Sequence, residues 1–248
     1  MNLEKVIPQI TAHIPENKKI DGAVIVFAGG GYTTRAGHEG DVYAEFLKNN
    51  GICAFNVEYR VVPARFPSQL FDARYAVNWV RENAEKYGID RNKIAVMGSS
   101  AGGHLAAMVS TYTSPRGAQE LDIKENYLPN AQILCYPVIV NPTDNSYANI
   151  ESYEHLLDTL ESKQVRSVDP TLNVTETTPQ AFIWHTAEDE VVDMRNSLDY
   201  VCALQKNKIP VEMHIFQNGP HGIGLANNYP HSAQWKGLLL NWLYKIFG

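Results

Sequence analysis

Short continuous apolar runs alternate with amphipathic stretches along most of this chain. The segments 23–27, 52–57, 93–97, 133–136, 181–185 and 211–216 read as strands. Between them, 41–49, a stretch opening at Pro67 and closing near Gly88, 101–110, 194–206 and 232–247 read as helices. In the Pro67 helix, Leu70, Ala73, Val77 and Val80 recur at helical spacing, and proline suits a first turn. Strands that are apolar on both faces need cover on both faces. Strand–helix alternation supplies it, so the expected fold class is α/β: a mostly parallel central sheet with helices on either side. Ligands in such sheets sit beyond the carboxyl ends of the strands. The residues just after each strand are therefore the ones to read for chemistry.

The chain has 248 residues, which suits one large α/β domain over 1–248 better than two small ones. Net charge is -6 with no basic run, which excludes nucleic acid and an anionic membrane surface as expected partners. No apolar stretch approaches the ~18 residues of a membrane span. The start, Met1 to Gln9, shows no basic region followed by an apolar core, so the expected location is cytoplasmic. Cys53, Cys135 and Cys202 lie far apart in apolar segments and read as buried free thiols rather than metal ligands or a nucleophile. Asn173-Val174-Thr175 matches a glycosylation acceptor, a match without force where no secretion signal is seen. One segment breaks the alternation. Residues 141–178 are polar and weakly periodic, with a helix expected over 151–161, and read as a short cap insertion over the carboxyl edge of the sheet.

Gly98-Ser99-Ser100-Ala101-Gly102 follows one predicted strand and opens one predicted helix. The pattern Gly-x-Ser-x-Gly is common by chance, but in that setting it describes a sharp turn. The serine is held in a strained backbone conformation with Oγ clear of the sheet, and the flanking glycines avoid clashes. The helix that follows presents its positive end to the site. Ser100, not Ser99, has the nucleophile's spacing. Gly29-Gly30-Gly31-Tyr32 follows the first strong strand. A tetrahedral intermediate needs backbone N–H groups aimed at one point. The expected donors are Gly30, Gly31 and Ala101. A phosphate loop is the alternative, but no Gly-Lys-Ser/Thr follows.

Eight histidines compete for the general base. In a hydrolase of this kind the order along the chain is nucleophile, acid, base. His221, in Gly219-Pro220-His221-Gly222 beyond the last strand, satisfies order and position. His13 and His38 come too early, His185 and His214 lie within strands as core or structural residues, and His155 sits in the cap. His231, which starts the last helix, is a reserve. His104 is the rival, four residues from Ser100, but the turn should aim Ser100 away from that helix. Position leaves Glu188, Asp189, Glu190 and Asp193 open as the acid. Spacing favours Asp189, and Asp193 could cap the next helix.

Ala28-Gly29-Gly30-Gly31-Tyr32, Glu58-Tyr59-Arg60, Pro67, Asp72, Gly98 to Leu105, Asp189-Glu190-Val191-Val192 and Gly219-Pro220-His221-Gly222 together resemble the acetyl esterase and acetylxylan/feruloyl esterase-like branch of the α/β hydrolases. Hormone-sensitive-lipase-like esterases are close relatives. The resemblance runs from about Gly22 to the carboxyl end. It implies Asp189 as the acid, because the family acid precedes a Val-Pro or similar pair. Ala28 stands where the family often has His or Pro, and Asp193 where it often has Pro. The implied activity is hydrolysis of small acyl esters, acetyl above all, of sugars or xylo-oligosaccharides, through a Ser100–His221–Asp189 acyl-enzyme mechanism. The implied partner is a small-molecule ester, with no metal or organic cofactor, and a homo-oligomer stays open. An arylformamidase or peptidase-like amide hydrolase would keep the same residues. A non-catalytic binding module would need none of them.

Overall fold

A computed structural model describes residues 7–112 and 127–248, so the reading of the chain's start at 1–6 lies outside the described residues. The strands are β1 (Gln9–His13), β2 (Ala23–Phe27), β3 (Cys53–Glu58), β4 (Ile94–Ser99), β5 (Ala131–Cys135), β6 (Gln180–Thr186) and β7 (Val211–Phe216). The helices are α1 (Asp41–Asn49), α2 (Ser68–Glu82), α3 (Ala84–Tyr87), α4 (Ser100–Thr111), α5 (Ile150–Leu156), α6 (Ser162–Ser167), α7 (Pro170–Asn173), α8 (Arg195–Lys206) and α9 (Trp235–Phe247). All seven strands join one sheet in the order β1-β3-β2-β4-β5-β6-β7. Among the described residues only β1 runs antiparallel to its neighbour; every other pairing is parallel.

Strand periodicity divides the core into two layers. Ala23, Ile25 and Phe27 of β2 and Ile94 and Val96 of β4 face one way, where α2, α3, α4 and α8 contribute Leu70, Ala84, Leu105 and Leu204. Val24, Val26, Ala95 and Met97 face the other way, against Tyr43 of α1 and Trp235 and Leu239 of α9. The α/β architecture expected from the alternation, a mostly parallel sheet with helices on both faces, is the one observed. The connection from β2 goes outward to β3, then returns to β4 on β2's other side. Phe27 pairs with Gly98 across that switch, which brings the loop after β2 against the start of α4.

Two expectations need correction, and one strand was not expected at all. The strand β1 carried no signal: its residues are mostly exposed, and it is held by pairing with β3 rather than by burying an apolar face. The helix expected over 151–161 stops at Leu156, because Leu157 is extended and its buried side chain leaves the helical path; the next helix, α6, begins only at Ser162. Cys202 is exposed, unlike buried Cys53 and Cys135, since α8 turns Tyr200 and Leu204 inward and Cys202 outward. Among the described residues no helix is long and apolar enough to cross a membrane.

Candidate active site

Ser100 is the first residue of α4, with φ at 52°, a left-handed conformation that costs a non-glycine residue roughly 1–3 kcal/mol. The flanking glycines are required by space. A Cβ on Gly98 would lie 2.0 Å from the Gly102 carbonyl oxygen, and one on Gly102 would lie 2.2 Å from the Phe27 carbonyl oxygen. No side chain fits either position, so the backbone closes tightly and Ser100 projects beyond β4.

His221 Nε2 lies 2.8 Å from Ser100 Oγ, and His221 Nδ1 lies 2.7 Å from Asp189 Oδ2. The residues come from three separate strand ends, β4, β6 and β7, and form one hydrogen-bonded line. Asp189 is well satisfied. Its Oδ1 accepts the N–H groups of Val191 and Val192 at 3.0 and 2.8 Å. Burial opposes its ionisation, but the hydrogen bonds from His185 and His221 and from the Val192 N–H outweigh it. They hold the carboxyl well below the usual carboxylate range.

The loop after β2 turns under Ser100, and Gly30 and Gly31 have φ of 123° and 59°, which glycine adopts freely. The Gly29 carbonyl accepts Ala36 N–H at 2.9 Å, and the Ala28 carbonyl accepts Tyr59 O–H at 2.6 Å. Arg60 grips Asp72 through its guanidinium and its backbone N–H at 2.7–3.0 Å. Tyr59 thus braces the glycine loop, while Arg60 and Asp72 tie the segment after β3 to α2. Gly30, Gly31, Ser100 and His221 line one cavity of about 340 Å³ with Thr33, His38, Glu39, Asn149, Glu151, Ser152 and Val191.

The BD-FAE family profile matches residues 11–204 of the chain. The chain belongs to the BD-FAE family. It stands within the carboxylesterase branch of the α/β hydrolases. An endo-1,4-beta-xylanase B of Butyrivibrio fibrisolvens is 33% identical over 93% of this chain and 37% of that protein. An acetylxylan esterase of Xylanibacter ruminicola is 29% identical over 96% of this chain and 48% of that protein. The chain therefore spans less than half the length of these two relatives. A crystal structure of an acetyl ester-xyloside bifunctional hydrolase from Caldicellulosiruptor lactoaceticus superposes with a TM-score of 0.88. It is 36% identical, with 98% of this chain and 89% of that one covered.

In this BD-FAE chain the competing residues are committed elsewhere. His104 Nδ1 meets Tyr32 Oη at 2.7 Å and Nε2 meets the Val168 carbonyl at 2.9 Å, while burial pushes its pKa down to about 4. It is a neutral tie between α4, the glycine loop and the 141–178 excursion. Glu188 accepts Asn218 Nδ2 and Gly219 N–H at 2.8 and 3.1 Å, so it anchors the His221 loop. Glu190 is exposed. Asp193 lies one residue before the N-cap Met194 and is taken up by Arg195, whose N–H it accepts at 2.8 Å and whose guanidinium it meets. His13 bridges Asp41 and Glu45, His214 meets Glu212, and His231 meets Gln234.

Sequence reasoning missed two neighbours of the site. His185 is buried beside the acid: its Nε2 lies 3.2 Å from Asp189 Oδ2 and 2.8 Å from the Val192 carbonyl, and its Nδ1 lies 2.8 Å from Ser197 Oγ. Its place at a strand end, four residues before Asp189, was the available signal. Glu39 was missed because nothing local marks it. Among the described residues no cluster of His, Cys, Asp and Glu is placed to hold a metal ion.

Proposed function

We propose that the chain is a serine carboxylesterase acting as one α/β domain over 1–248, with residues 141–178 as its cap. The observation that carries this reading is the unbroken line from Ser100 Oγ through His221 to Asp189. His221 Nε2 takes the proton of Ser100 as Oγ attacks the ester carbonyl. Asp189 fixes the imidazole tautomer by accepting the Nδ1 proton and stabilises the imidazolium. The N–H groups of Gly30, Gly31 and Ala101 receive the oxyanion, aided by the positive end of α4. His221 returns the proton to the departing alcohol. Water then attacks the acyl-enzyme by the same route, releasing the acid and free Ser100.

The favoured substrate is an acetyl ester of a sugar or xylo-oligosaccharide. The names of the similar proteins support this class, as does a cavity whose Thr33, His38, Asn149 and Glu151 suit a polyhydroxy alcohol. The test is an ester panel with Ser100→Ala as the control. It runs p-nitrophenyl acetate through octanoate, acetylated xylose, methyl ferulate, formylkynurenine and an aminoacyl amide. Acetate esters should turn over fastest, a fluorophosphonate should label Ser100, and Ser100→Ala should lose at least ~10³-fold in kcat. Near-native turnover in Ser100→Ala, or a preference for the amides, would overturn the reading.

A further inference from the structure

A buried carboxylate that takes no part in the steps above lies against the site. Glu39 sits just before α1, its side chain 3% exposed. Its Oε2 accepts Gly29 N–H at 3.1 Å, and its Oε1 accepts Tyr136 O–H at 2.6 Å. Each carboxylate oxygen thus accepts one hydrogen bond, and an ionised carboxylate can accept both. Tyr136 Oη in turn accepts the Gly224 N–H at 2.9 Å, and the Tyr136 ring meets the His221 ring edge-on at 5.2 Å. Tyr136 follows β5 with φ at 37°, a conformation the surroundings must impose on a tyrosine. A second tyrosine, Tyr43, meets Tyr136 Oη at 3.1 Å and accepts from Ser99 Oγ at 3.1 Å, beside the nucleophile. Glu39 thus joins the glycine loop after β2 to the loop that carries His221, through one hydrogen bond to the first and one tyrosine to the second. The arrangement works against solvation: burial raises the Glu39 carboxyl above its ordinary value, while Tyr136, His38, His221 and Gly29 favour its charge.

We propose that Glu39 is a positioning residue of the esterase reaction: its carboxylate holds the glycine loop and the His221 loop in register and sets a fixed negative charge near the imidazolium. This rests on the reading of Ser100 and His221 as nucleophile and base. The titratable groups facing Glu39 are His38 on its own turn, His221 on the β7 loop, and Tyr136, Tyr43 and Cys135 from the elements behind it. Asp189 faces His221 from the other side, and Glu151 lines the cavity across from it. Glu39, Asp189 and Glu188 are carboxylates bound directly into the two loops, Glu188 through the Gly219 N–H. Removing the Glu39 charge makes the protonated imidazole easier to deprotonate. The acid limb of the pH–rate profile then moves to lower pH.

The experiment compares Glu39→Gln, Glu39→Asp and Tyr136→Phe with the native enzyme, using p-nitrophenyl acetate from pH 5 to 9. In Glu39→Gln kcat should fall ~10- to 100-fold with KM within about twofold, because the loops lose register while the cavity persists. Its acid limb should move down by about half a pH unit or more. Tyr136→Phe removes the link to Gly224 but keeps the charge, so kcat should fall with the acid limb in place. Glu39→Asp keeps the charge, so its acid limb should stay native. A native kcat in Glu39→Gln overturns the proposal. So does a lowered kcat with an unmoved acid limb, which reports packing alone. Should Glu39→Gln not fold, native kcat in both Glu39→Asp and Tyr136→Phe overturns it. Failure of the underlying reading is separate, since it appears as turnover in Ser100→Ala whatever Glu39 does.

Discussion

The turn at Ser100 and the excursion over 141–178 both contribute to one cavity, yet they are held differently. The turn is held by close packing. All of α4 is buried, and a Cβ at Gly98 or Gly102 would strike backbone. The excursion buries Tyr153, Leu156, Leu157, Val165 and Val168 in the core, and adds to that packing a set of separable hydrogen bonds from side chains to backbone. Arg65 Nη1 donates to the carbonyls of Glu154 and His155 at 2.7 and 2.5 Å, His155 Nδ1 meets the Gly31 carbonyl at 2.9 Å, and Tyr153 O–H donates to Ile139 at 2.8 Å. Ile150 and Leu172 of the excursion stay more than half exposed. A Cβ forced against close-packed backbone costs strain at once, whereas each hydrogen bond adds a modest, separate increment. Changes at the turn should therefore abolish chemistry or folding, and changes in the excursion should tune substrate preference.

The largest effect should come from the acid at the far end of the line that starts at the Ser100 turn. Asp189→Asn is expected to lower kcat on p-nitrophenyl acetate by ~10⁴-fold with the fold intact by circular dichroism. A loss under tenfold would remove Asp189 from the mechanism. Next is Gly102→Ala, which forces a Cβ against the Phe27 carbonyl oxygen and should destabilise by about 3 kcal/mol or more in urea unfolding. A change below 1 kcal/mol would erase the contrast between the two regions.

His104 ties the regions together, and its effect is a pH dependence. Its pKa falls from an ordinary 6.5 to about 4 because burial disfavours the imidazolium. Between those values the unfolded chain binds more protons than the folded one, so stability is full above pH 6.5 and declines as pH falls toward 4. From pH 7 to 4.5 this residue should account for about 2–3 kcal/mol of lost stability. His104→Gln should flatten that part of the curve, and an unchanged slope would count against a neutral buried tie. The smallest effect belongs to the excursion itself. His155→Ala should raise KM for acetylated xylose by ~2- to 5-fold while leaving kcat on p-nitrophenyl acetate within about twofold. A collapse of both would show that the excursion supports the chemistry directly.

Much of the fold was legible in local pattern. Each strand expected from an apolar run is present, with ends differing by a residue or two, because burial on both faces of a sheet demands unbroken apolar sequence. The edge strand β1 had no such demand and left no mark. In the site, Ser100 and His221 could be singled out because each follows its own strand, whereas position left four carboxylates open as the acid and it was the family resemblance that implied Asp189. Glu39 and Tyr136 could not. They stand 97 positions apart in sequence and meet only through the fold. His185 was assigned to the core on its strand position, yet the same strand twists its ring onto Asp189.

By itself, then, the sequence determined the parallel sheet, the glycine-flanked turn at Ser100 and the strand ends that carry polar side chains, since periodicity and glycine spacing are local properties. Tertiary structure decided which nitrogen meets which oxygen. It left His104 neutral between Tyr32 and Val168, set His221 between Ser100 and Asp189, and buried Glu39 behind the glycine loop. Those outcomes depend on hydrogen bonds between residues distant in the chain, whose geometry exists only once the two core layers have closed on the sheet.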